Sequence, residues 1–171
     1  SSGQQAAIDP TGNVTAMWVE NVSAVSTIKT QYKAALGSWT SPVALTSATS
    51  AEKPQLVVDS SGNITAIWVR GGKTEVINKP FGGSWSSATI LDNNNGNYTP
   101  QLAVDGSGNV AAVWNYSNSW VQVAKLPIGG TWTSAATAFT GSISNPQITF
   151  DASGNIIVTA STGSQLGVSV Q

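Results

Sequence analysis

One short pattern, Asp-x-x-Gly-Asn, occurs four times in the chain, at Asp9-Gly12-Asn13, Asp59-Gly62-Asn63, Asp105-Gly108-Asn109 and Asp151-Gly154-Asn155. The aspartates stand 50, 46 and 46 residues apart. A repeat of this period is one supersecondary unit that cannot bury its apolar face alone and must stack on its neighbours. Other positions recur with it. Gln5, Gln55, Gln101 and Gln147 precede the aspartates, and Trp18, Trp68 and Trp114 follow them, with Ala160 in the fourth copy. Lys29, Lys79 and Lys125 come next, with Gln171 last; then Trp39, Trp85 and Trp132, each after or near glycine. Pro54, Pro100 and Pro146 restart the cycle.

Each unit reads as four short strands. In the third unit these are Pro100 to Val104, Val110 to Trp114, Trp120 to Leu126 and Trp132 to Phe139. Proline suits the opening position of a strand, where its missing donor does least harm. Asp at the first position of a type I turn and Gly at the fourth fit the connection between strands one and two, and Pro10 sits where that turn favours proline. Pro127-Ile128-Gly129-Gly130 reads as a hairpin connection. No stretch shows a helical period. The second strands, such as Val110-Ala111-Ala112-Val113-Trp114, are apolar on both sides, as a sheet covered on both faces requires.

Four-stranded units of this length that stack on one another are the signature of a β-propeller. The extended pattern Asp-x-x-Gly-Asn-x-x-Ala-x-Trp resembles bacterial lectin-like and Asp-box-type propeller repeats. It departs from the Asp-box pattern, which has Ser or Thr two before the Asp and Gly two after it. The resemblance implies propeller architecture and a tendency to bind glycans, and no site residues are carried over from it. The expected fold is therefore all-β, about 3.75 blades near 3–48, 53–94, 99–140 and 145–171, as part of a propeller or of an oligomeric ring. An open blade edge is an association site, so a homo-oligomer that completes the ring belongs among the expected partners.

Composition narrows the chemistry. Charged residues make up 9% of the chain, far below the roughly 25% usual for a globular domain, with a net charge of -1. No basic patch marks a nucleic-acid or anionic-membrane partner, and no apolar run reaches the roughly 20 residues of a membrane span. Cysteine and histidine are both absent. Ser-His-Asp and Cys-His catalysis and the usual zinc sites are thereby excluded, and neither a metal nor a cofactor is expected. Few charges among abundant Ser, Thr and Asn suggest a secreted or cell-surface bacterial protein.

The four repeated aspartates read as turn caps. Glu20, Glu52, Glu75 and Asp92 remain, in no paired spacing, whereas glycoside hydrolysis needs two carboxylates flanking one bond. Sialidase-like propellers use several arginines, and this chain has one, Arg70. The repeated tryptophans read as core filling between sheets.

Up-and-down strands put the loops between second and third strands on the same rim as the connections between units. These loops differ completely among copies, while the frame is constant, which is how loop-borne binding looks. Trp120, Tyr116, Tyr98, Asn115, Asn97, Asp92 and Arg70 are the expected ligand residues, with Trp120 first because it is the one tryptophan outside the repeated positions. The expected function is non-catalytic, lectin-like binding of a glycan. An assembly module whose open edges join copies into a ring or filament is the alternative, and a glycoside hydrolase the third reading; another protein is the alternative ligand.

Overall fold

The computed structural model describes residues 3–47, 50–117, 119–162 and 165–170, without the side chains of residue 97 and residues 162–170. All regular structure among them is β, in four antiparallel sheets. The first contains β1 (Gln4–Ile8), β2 (Val14–Val22), β3 (Val25–Lys33) and β4 (Val43–Ala44). The second contains β5 (Ala51–Val58), β6 (Ile64–Arg70), β7 (Lys73–Lys79) and β8 (Thr89–Asp92). The third contains β9 (Asn97–Val104), β10 (Val110–Tyr116), β11 (Trp120–Leu126) and β12 (Ala136–Thr140). β13 (Ile143–Phe150), β14 (Ile156–Thr162) and β15 (Gln165–Val170) form a three-stranded fourth sheet. In every sheet the strands pair in chain order, so each is a simple meander.

Consecutive sheets stack face to face through three apolar layers. Met17 and Ile28 of the first sheet meet Ile64, Ala66 and Trp68 of the second. Ile67 and Val76 meet Ala112 and Trp114 of the third. Ala111, Val113 and Val121 meet Ile156, Val158 and Ala160 of the fourth. β6 and β10 alternate between a layer before and a layer after, which is why apolar residues stand on both of their faces, with Thr65 and Asn115 as buried polar exceptions. The first strands β1, β5, β9 and β13 touch their successors in turn, so they crowd on one side of the stack.

The Asp-x-x-Gly-Asn turn forms four times with the same bonds. Gly N–H donates to the Asp carbonyl at 2.9 to 3.1 Å, closing the turn. The glycines take φ of 81 to 91°, a region closed to most side chains. Asn N–H donates to the Asp Oδ1 at 2.8 to 3.0 Å, and Asn Nδ2 donates to its Oδ2 at 2.7 to 2.8 Å. Asn13, Asn63 and Asn109 also reach sideways: each Oδ1 accepts the N–H of Ala35, Phe81 or Ile128, at 3.0 Å in every case. One asparagine thus clips the turn between strands one and two to the turn between strands three and four.

Three expectations are corrected. The prolines do not open their strands. Pro54, Pro100 and Pro146 each lie three residues inside, at an interruption of the pairing where no ladder donor is missed. The residues before them, Lys53, Thr99 and Asn145, have φ of 55, 42 and 51°. The fourth strand of the third sheet starts at Ala136 and leaves Trp132 in the preceding segment. The repeated lysines are not equivalent: Lys29 faces Trp18, Lys79 faces Ile64 and Lys125 faces Ala111. The β2–β3 hairpin is longer by two residues per strand than β6–β7. That extra length also accounts for the first repeat of 50 residues instead of 46.

The tryptophans follow the stacking rather than their sequence copy. Trp68 and Trp114 are fully buried, and Trp85 and Trp132 pack partly buried beside them. Trp18 is half-buried and Trp39 is 45% exposed. All of these face the preceding sheet, and the first sheet has none before it among the described residues. The expectation of uniform core burial fails for that reason.

Hydrogen bonds from Asn109 and Asn155 hold the Asp105 and Asp151 carboxyls below the usual carboxylate range. At Asp9, partial desolvation opposes the shift, and bonds from Thr11 and Asn13 outweigh it. A depressed native pKa gives stability that is complete above the unfolded value of about 3.9 and is lost as pH falls through the lower native value. Asp105→Asn is therefore expected to lower the urea midpoint at pH 7, and the gap from the parent should narrow steadily between about pH 4 and pH 2.

Candidate functional site

The rim opposite the Asp-Gly turns carries the hairpin tips and the connections between sheets. The Gly71-Gly72 tip of the second sheet has φ of 58 and 76°, as a two-residue hairpin with right-handed twist requires. It abuts the connection into the third sheet: a Cβ on Gly72 would lie 2.8 Å from the Gly96 nitrogen. Gly96 in turn sits under the third hairpin, its carbonyl accepting the Ser117 N–H at 2.9 Å. A Cβ on Gly96 would come within 3.9 Å of both the Tyr116 ring and the Tyr98 hydroxyl. Two glycines thus let three loops close on one another.

Aromatic groups line this place. Tyr116 and Trp120 face each other across the base of their hairpin, with ring centroids 5.2 Å apart and planes within 2° of parallel. Trp120 is 43% exposed and Tyr98 is also exposed. The Lys53 ammonium lies 5.1 Å from the centre of the Tyr98 ring, close enough for a cation–π attraction. The result is a group of three aromatic rings at the surface, two of them exposed, with one cation over Tyr98.

The polar residues expected there behave differently. Asp92 is buried, accepting bonds from Trp114 Nε1 at 3.0 Å and from the Asn94 N–H and Nδ2 at 2.9 and 2.8 Å. Asn115 is buried, its Oδ1 accepting from Thr99 Oγ1. Arg70 is tied to Glu75, donating from Nε to Oε2 at 2.8 Å and from Nη2 to Oε1. This bidentate pair raises the Arg70 pKa. Asn97 opens β9 opposite Tyr116, and its side chain lies outside the described residues. Of the expected ligand residues, the structure brings Tyr98, Tyr116 and Trp120 together at the surface, and Asp92, Asn115 and Arg70 serve the scaffold. The sequence could not reveal this, because each partner comes from a different strand or sheet.

Sequence reasoning missed the structural role of Glu75, which it weighed only among the carboxylates for hydrolysis. It is 2% exposed and its Oε2 also accepts from Trp68 Nε1 at 2.9 Å. Its place opposite Trp68 in the hairpin was the available signal. The carboxylates do not converge. Glu20 pairs with Lys29 on the open face of the first sheet, Glu75 lies between the first and second sheets, and Asp92 lies between the second and third. Glu52 is exposed at the head of β5, next to Lys53. No group of three or more metal-ligating side chains occurs among the described residues, and no helix is long and apolar enough to cross a membrane.

No family model matches the chain, and no curated protein sequence is similar to it. Solved structures are similar. One is an endo-arabinase from Bacteroides thetaiotaomicron, with a TM-score of 0.54 and 12% identity over 98% of this chain and 74% of that one. Another is an α-L-arabinofuranosidase from Podospora anserina in complex with cellotriose, at 0.57 and 8% over 96% and 61%. A third is the catalytic domain of a GH62 α-L-arabinofuranosidase from Coprinopsis cinerea, at 0.54 and 9% over 92% and 62%. The chain spans about three fifths of the length of the two arabinofuranosidases. The likeness is one of fold, and it makes the architecture β-propeller-like. It also corrects the expectation of a lectin-like module without chemistry, since these three similar structures are those of glycoside hydrolases. The tally of carboxylates that led to that expectation was taken over a chain shorter than such enzymes, and so does not exclude hydrolysis.

Removing Glu75 leaves the Trp68 N–H without its acceptor inside an interface and the half-buried Arg70 guanidinium without its partner. Glu75→Ala is expected to cost about 3 kcal/mol in equilibrium unfolding, the range for breaking a buried pair. Glu75→Gln, which keeps one oxygen, should cost clearly less.

Proposed function

We propose that this chain is part of a propeller glycoside hydrolase and that its rim holds the glycan substrate. The observation that carries this reading is the stacked pair of half-buried Tyr116 and exposed Trp120 beside the exposed Tyr98. Sugar rings present flat C–H faces, and an aromatic surface with little charge suits them better than it suits an ionic ligand. The relatives in fold named for arabinose-containing substrates, one of them bound to cellotriose, support a plant-type polysaccharide as the substrate class.

Hydrolysis requires a carboxylic acid to protonate the leaving oxygen and a carboxylate to activate water or attack the sugar. Glu75 and Asp92 are held by indole N–H groups and are not available for either role. Glu52 is exposed on the same rim and beside the lysine that covers Tyr98, so it is the carboxylate we assign to the reacting end of the glycan. In this reading the aromatic pair orients the chain and Glu52 supplies one of the two acidic groups.

Binding of arabinoxylan and of xylo- and cello-oligosaccharides, followed by tryptophan fluorescence, tests the rim. Trp120→Ala is expected to weaken binding by about tenfold or more, equivalent to 1.4 kcal/mol, and Glu52→Gln should leave binding nearly intact. Reducing-sugar release from arabinoxylan that is abolished by Glu52→Gln supports the catalytic assignment. Absence of binding by the parent chain, or binding that Trp120→Ala does not change, sinks the reading.

A further inference from the structure

Trp68 and Trp114 do the same work in successive interfaces, each filling the gap against the sheet before it with no exposure. Each indole N–H also has a carboxylate. Trp68 donates to Glu75, which faces it across the hairpin of its own sheet. Trp114 faces Gln122 across its hairpin and instead donates to Asp92, on the last strand of the preceding sheet. The acceptor thus comes from one sheet or the other, and neither indole goes without.

Trp18 occupies the same place in the first sheet, and its surroundings are incomplete. The residue across the hairpin is Lys29, a cation that cannot accept, paired to Glu20 at 3.3 Å. Among the described residues nothing accepts from Trp18 Nε1. The face around it carries Ala6, Ile8, Val14, Ala16 and Trp39, all exposed or half-buried, whereas the matches of Val14 (Ile64, Val110, Ile156) and of Ala16 (Ala66, Ala112, Val158) in later sheets are buried. Lys29 and Lys33 share this face with a single acid, Glu20.

We propose that this open face is a docking surface for a further β-sheet whose central strand presents Thr, Ile or Val and whose last strand carries a carboxylate that accepts from Trp18 Nε1. The surface that meets Trp114 inside this chain has that chemistry, with Thr65, Ile67 and Val69 on the central strand and Asp92 on the last. Its acid would also answer the excess of lysine. The outer face of the fourth sheet in a second copy matches in its central strand, with Ile157, Thr159 and Ser161, but β13, β14 and β15 carry no acidic residue to accept from Trp18 Nε1. The occupant is a sheet of the second kind.

The test joins a copy of residues 51–96 directly before residue 1, which preserves the spacing between that unit and the next Asp-Gly turn. Emission of Trp18 is isolated by subtracting the Trp18→Phe form of each chain. In the extended chain its acrylamide quenching is expected to fall several-fold and its emission to shift to the blue. Asp→Asn at the added copy of Asp92 should reverse much of that protection, and Lys29→Glu, which supplies an acceptor within the first sheet, should make the same Asp→Asn change silent. An extension with residues 143–170 joined at the same place should protect Trp18 little. The proposal is overturned if Trp18 stays as accessible with the added unit as without it, whether that unit folds or not. It is overturned equally if sedimentation shows that the parent chain already buries Trp18 by self-association, because a second copy is then the occupant.

Discussion

Apposition of thin β-sheets is the constraint on which the rest of this structure depends. Stacked sheets lie about 10 Å apart, and the central strands here meet that spacing with alanine, valine and isoleucine, Ala66, Ala111 and Ala112 being wholly buried. Trp68 and Trp114 fill the layers before the second and third sheets, with Trp85 and Trp132 beside them. The chain has no helix among its described residues and no cysteine, so nothing else of comparable size opposes unfolding. Burial on both faces of β6 and β10 also removes their backbone from water, which leaves the polar work to the strand ends.

The charged residues make sense in that setting. With so few of them, the chain uses its carboxylates inside: Glu75 and Asp92 each anchor an indole N–H between sheets, and the repeated aspartates organise turns. Buried polar groups are expensive unless satisfied, and these are satisfied several times over. The rim is left with aromatic rings, amides and an occasional lysine. That division explains how a surface suited to neutral sugars arises on a scaffold whose acids are mostly occupied.

Much of the architecture was legible in the sequence because turn chemistry and period are local. Asp, Gly and Asn at fixed offsets predict the turn bonds that form, and the Trp120 to Leu126 strand has the bounds expected from the sequence. What was not legible depends on contacts distant in sequence. Constant spacing made Lys29, Lys79 and Lys125 look equivalent, while a hairpin four residues longer placed Lys29 on another rung. Trp39 looked like Trp85 and Trp132, and only the stacking order distinguishes it. At the rim, Trp120 and Tyr116 could be paired from their places beside one tip, but the capture of Asp92 by Trp114, 22 residues away, could not.

The asparagine clip has a consequence for how such a unit can change. Asn13, Asn63 and Asn109 fasten two neighbouring bends together with one amide, so lengthening either bend would break bonds in both. The opposite ends are joined by backbone bonds instead, such as Ser117 N–H to the Gly96 carbonyl, and there the hairpins already differ in length and tip. Variation is thereby channelled to a single edge of the molecule: one side of every unit is tied off like a hem, and new binding character can be written on the other without unpicking it.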